Sequence, residues 1–180
     1  MIRLFSSKAF IALFVSVLSL TFQSCEDESI AYTLEGTWKG NMYVTHQYNN
    51  RVYSSTYTVI NFQRNPFRYT SGDGYWIDYY SSAPWDYIAN HISWNVRDRV
   101  ITINFLEERT YIEIYDYRLS DRRFKGVIYD GNSRINFSLT HTDSPNWDSY
   151  YYGWNDWYYS KSYQGTGSQT LPRRAFHKAE

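Results

Sequence analysis

The chain has 180 residues, a length that suits one domain rather than two. Its 18 Lys and Arg balance its 18 Asp and Glu, which argues against a nucleic-acid-binding protein with a basic stripe. Aromatic residues make up 21% of the chain, and a composition rich in Tyr and Trp favours half-buried β-strands.

The N-terminal 24 residues have the pattern of an export signal. Arg3 and Lys8 precede an apolar segment from Ala9 to Phe22, which is shorter than the roughly 20 apolar residues of a membrane span. A cationic start followed by a short apolar core predicts a removable signal peptide over residues 1–24, and an uncleaved anchor helix is the alternative. Without these residues the formal charge is −2, which also argues against electrostatic binding to anionic lipid.

Cys25 follows this segment directly and is the only cysteine of the chain. A lone cysteine cannot form an internal disulfide, so in an exported protein it needs another role. The site resembles the lipobox of bacterial lipoproteins, with the small Ser24 before the cysteine, although Phe22 and Gln23 depart from the usual residues. This resemblance implies that Cys25 carries the lipid anchor, and a processed lipoprotein with several acyl chains is held stably.

The acidic run Glu26-Asp27-Glu28 begins the expected linker at 25–33. An acidic run at this place resembles the surface-export signal of lipoproteins in one group of Gram-negative bacteria. It implies an outer-membrane lipoprotein with display at the cell surface, and a solvated charged linker is the alternative. The mature part has no second long apolar run.

Extended segments alternate with turn signals from Leu34 to Thr142, and this range forms the predicted β domain. Asn49-Asn50 is a tight-turn pair, and Ser71-Gly72-Asp73-Gly74 is a place where the third segment could break. The predicted strands cover 36–48, 52–63, 67–80, 85–95, 99–105, 109–119, 123–129 and 134–141.

Period-two alternation marks strands with one buried face. It is cleanest in two segments, where the residues on one face are Ile101, Ile103 and Phe105, and Ile135, Phe137 and Leu139. Short connections imply antiparallel neighbours, so the sequence predicts an all-β, eight-stranded, antiparallel up-and-down barrel. A barrel of this size has room for side chains or one small ligand. Alternation breaks across Tyr115-Asp116-Tyr117, where a β-bulge would switch the faces.

The first strand opens with Leu34-Glu35-Gly36-Thr37-Trp38-Lys39-Gly40. This motif, at the start of an eight-stranded meander, resembles the small lipocalin-like lipoproteins of Gram-negative bacteria. The resemblance covers residues 34–142 and implies that Trp38 packs at one end of the barrel. Tyr115-Asp116-Tyr117 matches the lipocalin Thr-Asp-Tyr loop only in part, and Arg134 is a stand-in for the arginine that usually stacks on the Trp.

Candidate catalytic and metal-binding residues are few. The histidines do not stand at ligand spacing, and even if the first and last strands bring His46 and His141 together, two ligands are too few for a zinc site. Glu107 and Glu108 are adjacent and point to opposite faces of a strand, so we interpret them as a solvated turn. We expect no catalytic residue, no metal and no cofactor.

A Tyr/Trp-rich tail occupies residues 143–180, and nine of the 17 residues from Trp147 to Tyr163 are Trp or Tyr. Three interpretations remain open. The rings of Trp147, Trp154 and Trp157 could pack over the barrel mouth or outer wall, contact a glycan or protein partner, or belong to a disordered self-associating tract. Residues 164–180 are expected to be a mobile terminus.

These observations predict a lipid-anchored, non-enzymatic, lipocalin-like barrel of the cell envelope that binds a small apolar ligand or a partner. One alternative is a surface protein that binds glycans through exposed Trp and Tyr. A second is a structural subunit of an envelope protein complex.

Overall fold

The computed structural model describes residues 25–130, 133–154 and 172–176. Within them, helix α1 covers residues 25–34 and a single 3-10 turn covers Trp147–Ser149. The strands are β1 (Gly36–Asn41), β2 (Val44–Tyr48), β3 (Arg51–Ser54), β4 (Tyr57–Asn65), β5 (Arg68–Tyr79), β6 (Tyr87–Arg97), β7 (Val100–Phe105), β8 (Thr110–Ser120), β9 (Arg123–Asp130), β10 (Ser133–Thr142) and β11 (Arg173–Phe176).

Eight of these strands close into an antiparallel barrel in the order β1-β10-β9-β8-β7-β6-β5-β4. Consecutive strands in the series β4 to β10 pair with one another. β1 closes the barrel between β4 and β10. The predicted eight-stranded, up-and-down barrel is therefore confirmed. Closure leaves no free sheet edge in the barrel.

The first two predicted strands are each divided in the structure. The segment 36–48 splits into β1 and β2 at Tyr43, whose φ is +55° and whose N–H donates to Asn41 Oδ1 at 2.7 Å. A turn of this kind, in which an Asn side chain binds the backbone two residues on, ends a strand. As a result β2 and β3 leave the barrel as a hairpin, and the predicted Asn49-Asn50 turn joins them.

β11 adds to the free edge of this hairpin and gives a second sheet in the order β11-β2-β3. The expectation of a mobile terminus is wrong for these residues, because Arg174 and Phe176 bury their side chains against the barrel. The other residues of 164–180 lie outside the described part of the chain, as does the predicted signal peptide at 1–24.

Side chains fill the barrel interior. One core cluster buries both sets of alternating residues that were predicted to share a face. They are residues 101, 103 and 105, and residues 135, 137 and 139. The largest fully buried side chains of the described residues are Trp38, Trp76, Trp94, Phe62, Phe105 and Phe124. The three indole rings belong to this core cluster, so aromatic and aliphatic side chains pack together in the described interior.

A bulge in β8 switches its inward face, as the broken alternation predicts. The pairing with β9 shifts between Tyr115 and Arg118, and Asp116 has a φ of +47°. Before the bulge the buried residues are Ile112 and Ile114, and after it Tyr117 packs against the core. The predicted break at residues 71–74 is not seen, because β5 runs without interruption.

Helix α1 packs against the barrel end at the β6–β7 turn. Ala31 and Leu34 are buried in the core, and the Asp27 carboxylate accepts hydrogen bonds of 3.0 and 2.9 Å from the backbone N–H groups of Asp98 and Arg99. The expected linker at 25–33 thus forms a helix that the sequence analysis missed, and its acidic run takes part in the packing.

Residues 147–154 cover the outer wall of β5 and β6. The Trp147 ring stacks on Tyr75 with centroids 4.9 Å apart, and the Gly153 N–H donates to the Ala89 carbonyl at 2.8 Å. This part of the tail follows the interpretation that placed it on the outer wall.

Candidate ligand-binding site

The barrel end opposite to α1 is the mouth, and β11 lies across it. α1 contacts the β6–β7 turn, and Glu108 lies in the β7–β8 turn. These turns are at the two ends of β7, so they lie at opposite ends of the barrel. β11 pairs with β2 so that Arg174 lies opposite His46 and Phe176 opposite Val44. Because strand side chains alternate, Arg174 and Phe176 share the face that points into the mouth.

Arg174 forms a buried ion-pair cluster with two carboxylates. Its Nη2 lies 3.0 Å from Glu108 Oε1, its Nε lies 3.0 Å from Glu108 Oε2, and its Nη1 contacts Asp78 Oδ2. The side chains of Arg174, Asp78 and Glu108 are 3%, 0% and 8% exposed, so water does not screen their charges. The guanidinium carbon also lies 4.3 Å from the centroid of the Phe105 ring, a cation–π distance.

Neutral donors complete the cluster. Asp78 Oδ1 accepts from Thr58 Oγ1 at 2.7 Å and from Trp76 Nε1 at 2.9 Å, and Asn90 Nδ2 donates to Glu108 Oε1 at 2.9 Å. Buried carboxylates are tolerated where partners satisfy their oxygens in this way. The mouth therefore holds fixed charges that are bound to one another.

The protonation states in the mouth follow from this arrangement. Burial by itself would raise the pKa of Glu108, but the charge of Arg174 outweighs it and holds that pKa far below its usual range. Burial lowers the pKa of His46, although the carboxylate of Glu108, 3.9 Å from Nε2, opposes the shift. His46 Nδ1 and the Tyr80 hydroxyl are hydrogen-bonded at 2.5 Å, and burial raises the pKa of Tyr80. His46 is consequently neutral and Glu108 ionised at neutral pH.

A cleft of about 690 Å³ opens beside this cluster, between the β7–β8 turn and β11. Aromatic and apolar side chains share its walls with polar and charged side chains of β11 and the β7–β8 turn. The lining residues that bear on binding are Tyr111, Ile112, Tyr129, Trp154, Pro172 and Arg173. Small-molecule sites usually have volumes of roughly 300–1,000 Å³, and the volume of this cleft lies within that range.

Several predicted residues lie away from this mouth. Cys25 is exposed and is the first described residue of α1. Trp38 is fully buried in the barrel core, where its Nε1 donates to the Leu34 carbonyl at 2.8 Å and its ring packs edge-on against Phe124 and His141. Arg134 lies over Tyr129 and pairs with Asp116 at 3.0 Å, so it does not stack on Trp38.

The three tail tryptophans do not form one surface. Trp147 packs on the outer wall, whereas Trp154 is only 8% exposed and lies beside Trp85 and His46. Trp157 lies outside the described residues. Trp154 is therefore a lining residue of the mouth and not an exposed contact.

The charged cluster was not predicted from the sequence. Glu108 was interpreted as part of a solvated turn, and this is wrong, because Arg174 and Asn90 enclose it. His46 and His141 do not meet, since His46 is on the hairpin that leaves the barrel while His141 packs on Trp38. The available signal was Asp78. It lies two positions after Trp76 in the same predicted strand, so the two side chains share the inward face. A carboxylate on that face needs a buried partner.

Among residues 25–130, 133–154 and 172–176, no group of three or more His, Cys, Asp and Glu side chains is arranged to hold a metal ion. In the same part of the chain, no helix is both long and apolar enough to span a membrane.

Comparison with known proteins decides the family. A family model for the lipocalin-like domain matches residues 34–126, which is more than half of the chain. The chain belongs to the lipocalin-like domain family. No curated protein matches it. Among solved structures, a redesigned beta barrel matches this lipocalin-like protein with 12% identity and a TM-score of 0.38, over 63% of this chain and 95% of that one.

Proposed function

We propose that this lipocalin-like protein is a lipid-anchored, non-enzymatic binding protein of the cell envelope that holds a small apolar ligand in the cleft at its mouth. The observation that carries the proposal is the contrast between a packed interior and an aromatic cleft of about 690 Å³ beside β11. A ligand enters the cleft without displacing Trp76 or Trp94, and burial of its apolar surface against Tyr111 and Tyr129 stabilises the complex.

A binding role is also supported by the chemistry of the mouth. A general acid or base needs a group that is free to exchange a proton with a substrate. Asp78 and Glu108 are both committed to Arg174, and each carboxylate accepts further hydrogen bonds from neutral donors. These carboxylates serve structure, which favours binding over catalysis.

The orientation of the anchor fits this proposal. Cys25 is the first described residue of α1, and α1 packs against the barrel end that lies opposite to the mouth. A lipid on Cys25 puts the α1 end next to the membrane and points the cleft away from it. The ligand is then taken from the aqueous side.

Binding in the cleft is tested with the neutral, apolar fluorophore N-phenyl-1-naphthylamine and the mature protein. Tyr111 is 65% exposed, so Tyr111→Ala leaves the core intact while it removes one wall of the cleft. We expect Tyr111→Ala and Tyr129→Ala each to weaken binding about fivefold or more, on the scale of the loss of a buried aromatic contact. The matched control is Tyr32→Ala, an exposed tyrosine on α1 at the other end. Equal affinity in all three variants would exclude the cleft as the site.

The anchor is tested by Cys25→Ala. The wild-type protein is expected to incorporate a labelled fatty acid and to partition into detergent, whereas the variant stays in the aqueous phase. A variant that still partitions with the wild type contradicts lipidation at Cys25. Protease treatment of intact cells then distinguishes surface display from the periplasmic face.

Glycan binding is a second candidate, and a row of half-buried rings on the outer wall of β4 to β6 favours it. Tyr57 stacks on Tyr79 at 4.5 Å, Tyr75 stacks on Trp147, and Tyr151 stands 69% exposed beside them. Trp147→Ala and Tyr151→Ala should then abolish binding of a neutral polysaccharide while Tyr32→Ala retains it. Unchanged binding by both variants removes this candidate.

A further inference from the structure

β11 is held in the mouth much as a bound peptide is held by a receptor. Its described residues 172–176 are separated in sequence from Trp154, the preceding described residue, and they contact strands that are far away in the chain. Two kinds of contact hold β11. Its backbone pairs with β2, and its two inward side chains enter sites formed by the barrel.

We propose that the mouth is a binding site for an extended peptide that carries Arg and, two positions later, an aromatic residue, and that β11 is its resident occupant in cis. Such a peptide, supplied by another protein chain, competes with β11 for the same place. This inference goes beyond binding of a small ligand in the cleft, because it concerns the position that β11 itself fills.

The edge of β2 recognises the backbone of the peptide. β2 pairs with β3 on one side, and on the other it pairs with β11 from Gln47 to Val44. An exposed strand edge is a general acceptor for an added strand, and its main-chain hydrogen bonds contribute affinity without selecting a sequence. Selection therefore depends on the side chains that point into the mouth.

The Arg position is recognised by charge and by shape. Glu108 receives Nε and Nη2, Asp78 receives Nη1, and the ring of Phe105 covers the guanidinium at 4.3 Å. A planar fork between two carboxylates and an aromatic face fits guanidinium, whereas the ammonium of Lys cannot make the same set of hydrogen bonds. The site is thus specific for Arg.

The aromatic position is recognised by a separate apolar site. Phe176 is 3% exposed and packs edge-on against Trp76, with centroids 6.3 Å apart. Trp76 also donates to Asp78, so the two sites share one residue. The spacing of two between Arg174 and Phe176 follows from the strand, in which alternate side chains lie on the same face.

The test uses the mature chain with Arg174→Ala and Phe176→Ala together, which removes both anchors of the resident strand. The probe is a fluorescein-labelled peptide with the sequence of residues 170–178. The matched control peptide has citrulline in place of the arginine at 174, which keeps the shape and removes the charge. Fluorescence anisotropy measures binding.

We expect the double variant to bind the arginine peptide at least about tenfold more tightly than the citrulline peptide. The wild-type protein should bind the arginine peptide at least about tenfold more weakly than the double variant does, because its own strand is present at a high effective concentration. Adding Asp78→Asn to the double variant should reduce the preference for arginine over citrulline.

Loss of Arg174 leaves two buried carboxylates without their cation, so the double variant could be unfolded by itself. In that case the arginine peptide, and not the citrulline peptide, is expected to restore the near-ultraviolet circular dichroism of the folded protein. A folded variant that binds both peptides equally or binds neither overturns the proposal. An unfolded variant that the arginine peptide does not restore overturns it as well.

The result is separable from that of the small-ligand experiment. Tyr32→Ala in the double-variant background should leave peptide binding unchanged, because Tyr32 lies on α1 at the other end of the barrel. Failure of apolar-probe binding with retained peptide binding rejects the proposed function alone.

Discussion

Arg174 and Glu108, 66 positions apart in the chain, form a forked ion pair in which Nε and Nη2 face the two carboxylate oxygens. One residue belongs to a short C-terminal strand and the other to the β7–β8 turn. Their pairing, together with Asp78, joins the terminal strand to the barrel wall. The stability and the proposed recognition chemistry of the mouth both depend on this pair.

Arg174→Met should destabilise the fold by about 3–5 kcal/mol, because it leaves Asp78 and Glu108 buried without a cation. The matched control is Arg173→Met, because the side chain of Arg173 is exposed. We expect this control to change the free energy of unfolding by less than about 0.5 kcal/mol. Urea unfolding of both variants at pH 7 measures the difference. Similar free energies for the two variants would contradict the buried ion pair.

Acid should destabilise the protein in two stages. The pKa of His46 is lowered from 6.5, so below that pH the unfolded chain binds a proton that the folded protein does not, and stability is lost as the pH falls. The pKa of Glu108 is lowered from 4.5, so its contribution is lost in turn below that value. Urea unfolding at pH 7.5, 5.5 and 4.0 reports both stages.

Variants of the mouth assign the two stages of this pH dependence. Relative to the wild type, His46→Gln should reduce the loss of unfolding free energy between pH 7.5 and 5.5. Glu108→Gln should reduce the loss of unfolding free energy below pH 5.5. His91→Gln is the control for the first stage, since the side chain of His91 is 46% exposed on the outer wall. An unchanged slope in His46→Gln would show that His46 is not buried as described.

Trp38→Phe should cost about 1–3 kcal/mol, because the Leu34 carbonyl at the end of α1 loses its buried donor. Trp147→Phe is the control on the outer wall, where the ring keeps its stacking on Tyr75 and a much smaller cost is expected. Thermal unfolding monitored by circular dichroism compares the two variants. The expectation fails if the two midpoints shift equally.

Arg99→Gly should stabilise the protein by about 0.5–1 kcal/mol. Arg99 has a φ of +63° in the β6–β7 turn, a conformation that glycine adopts without strain, and Asp-Gly suits a tight hairpin turn. The substitution removes the exposed ion pair with Glu26 at 3.2 Å, which contributes little. The backbone N–H of residue 99 still donates to Asp27. Arg97→Gly, at the end of β6, is the control and should destabilise the protein. Equal effects of the two changes would argue against strain at Arg99.

The barrel could be predicted from the sequence because its strands repeat the same local pattern. That pattern is an alternation of inward and outward residues followed by a short turn to the neighbouring strand. Alternation at Ile101, Ile103 and Phe105 identifies a buried face, and the broken alternation at Tyr115 to Tyr117 predicted the bulge that shifts the β8–β9 register. Helix α1 was not predicted because the core residues of its described part, Ala31 and Leu34, are too few to show a helical period.

The sequence by itself determined that eight strands form an antiparallel meander and which residues of β7 and β10 face inward, because each depends on neighbours along one strand or across one turn. Only the tertiary structure decided that β2 and β3 leave the barrel and that β11 returns to them. The same holds for the burial of Glu108 with Arg174, since a charged residue at a turn has the same sequence pattern whether it faces water or a partner 66 positions away. Long-range ion pairs have no period along the chain, and the physical environment of such residues exists only once the barrel has closed.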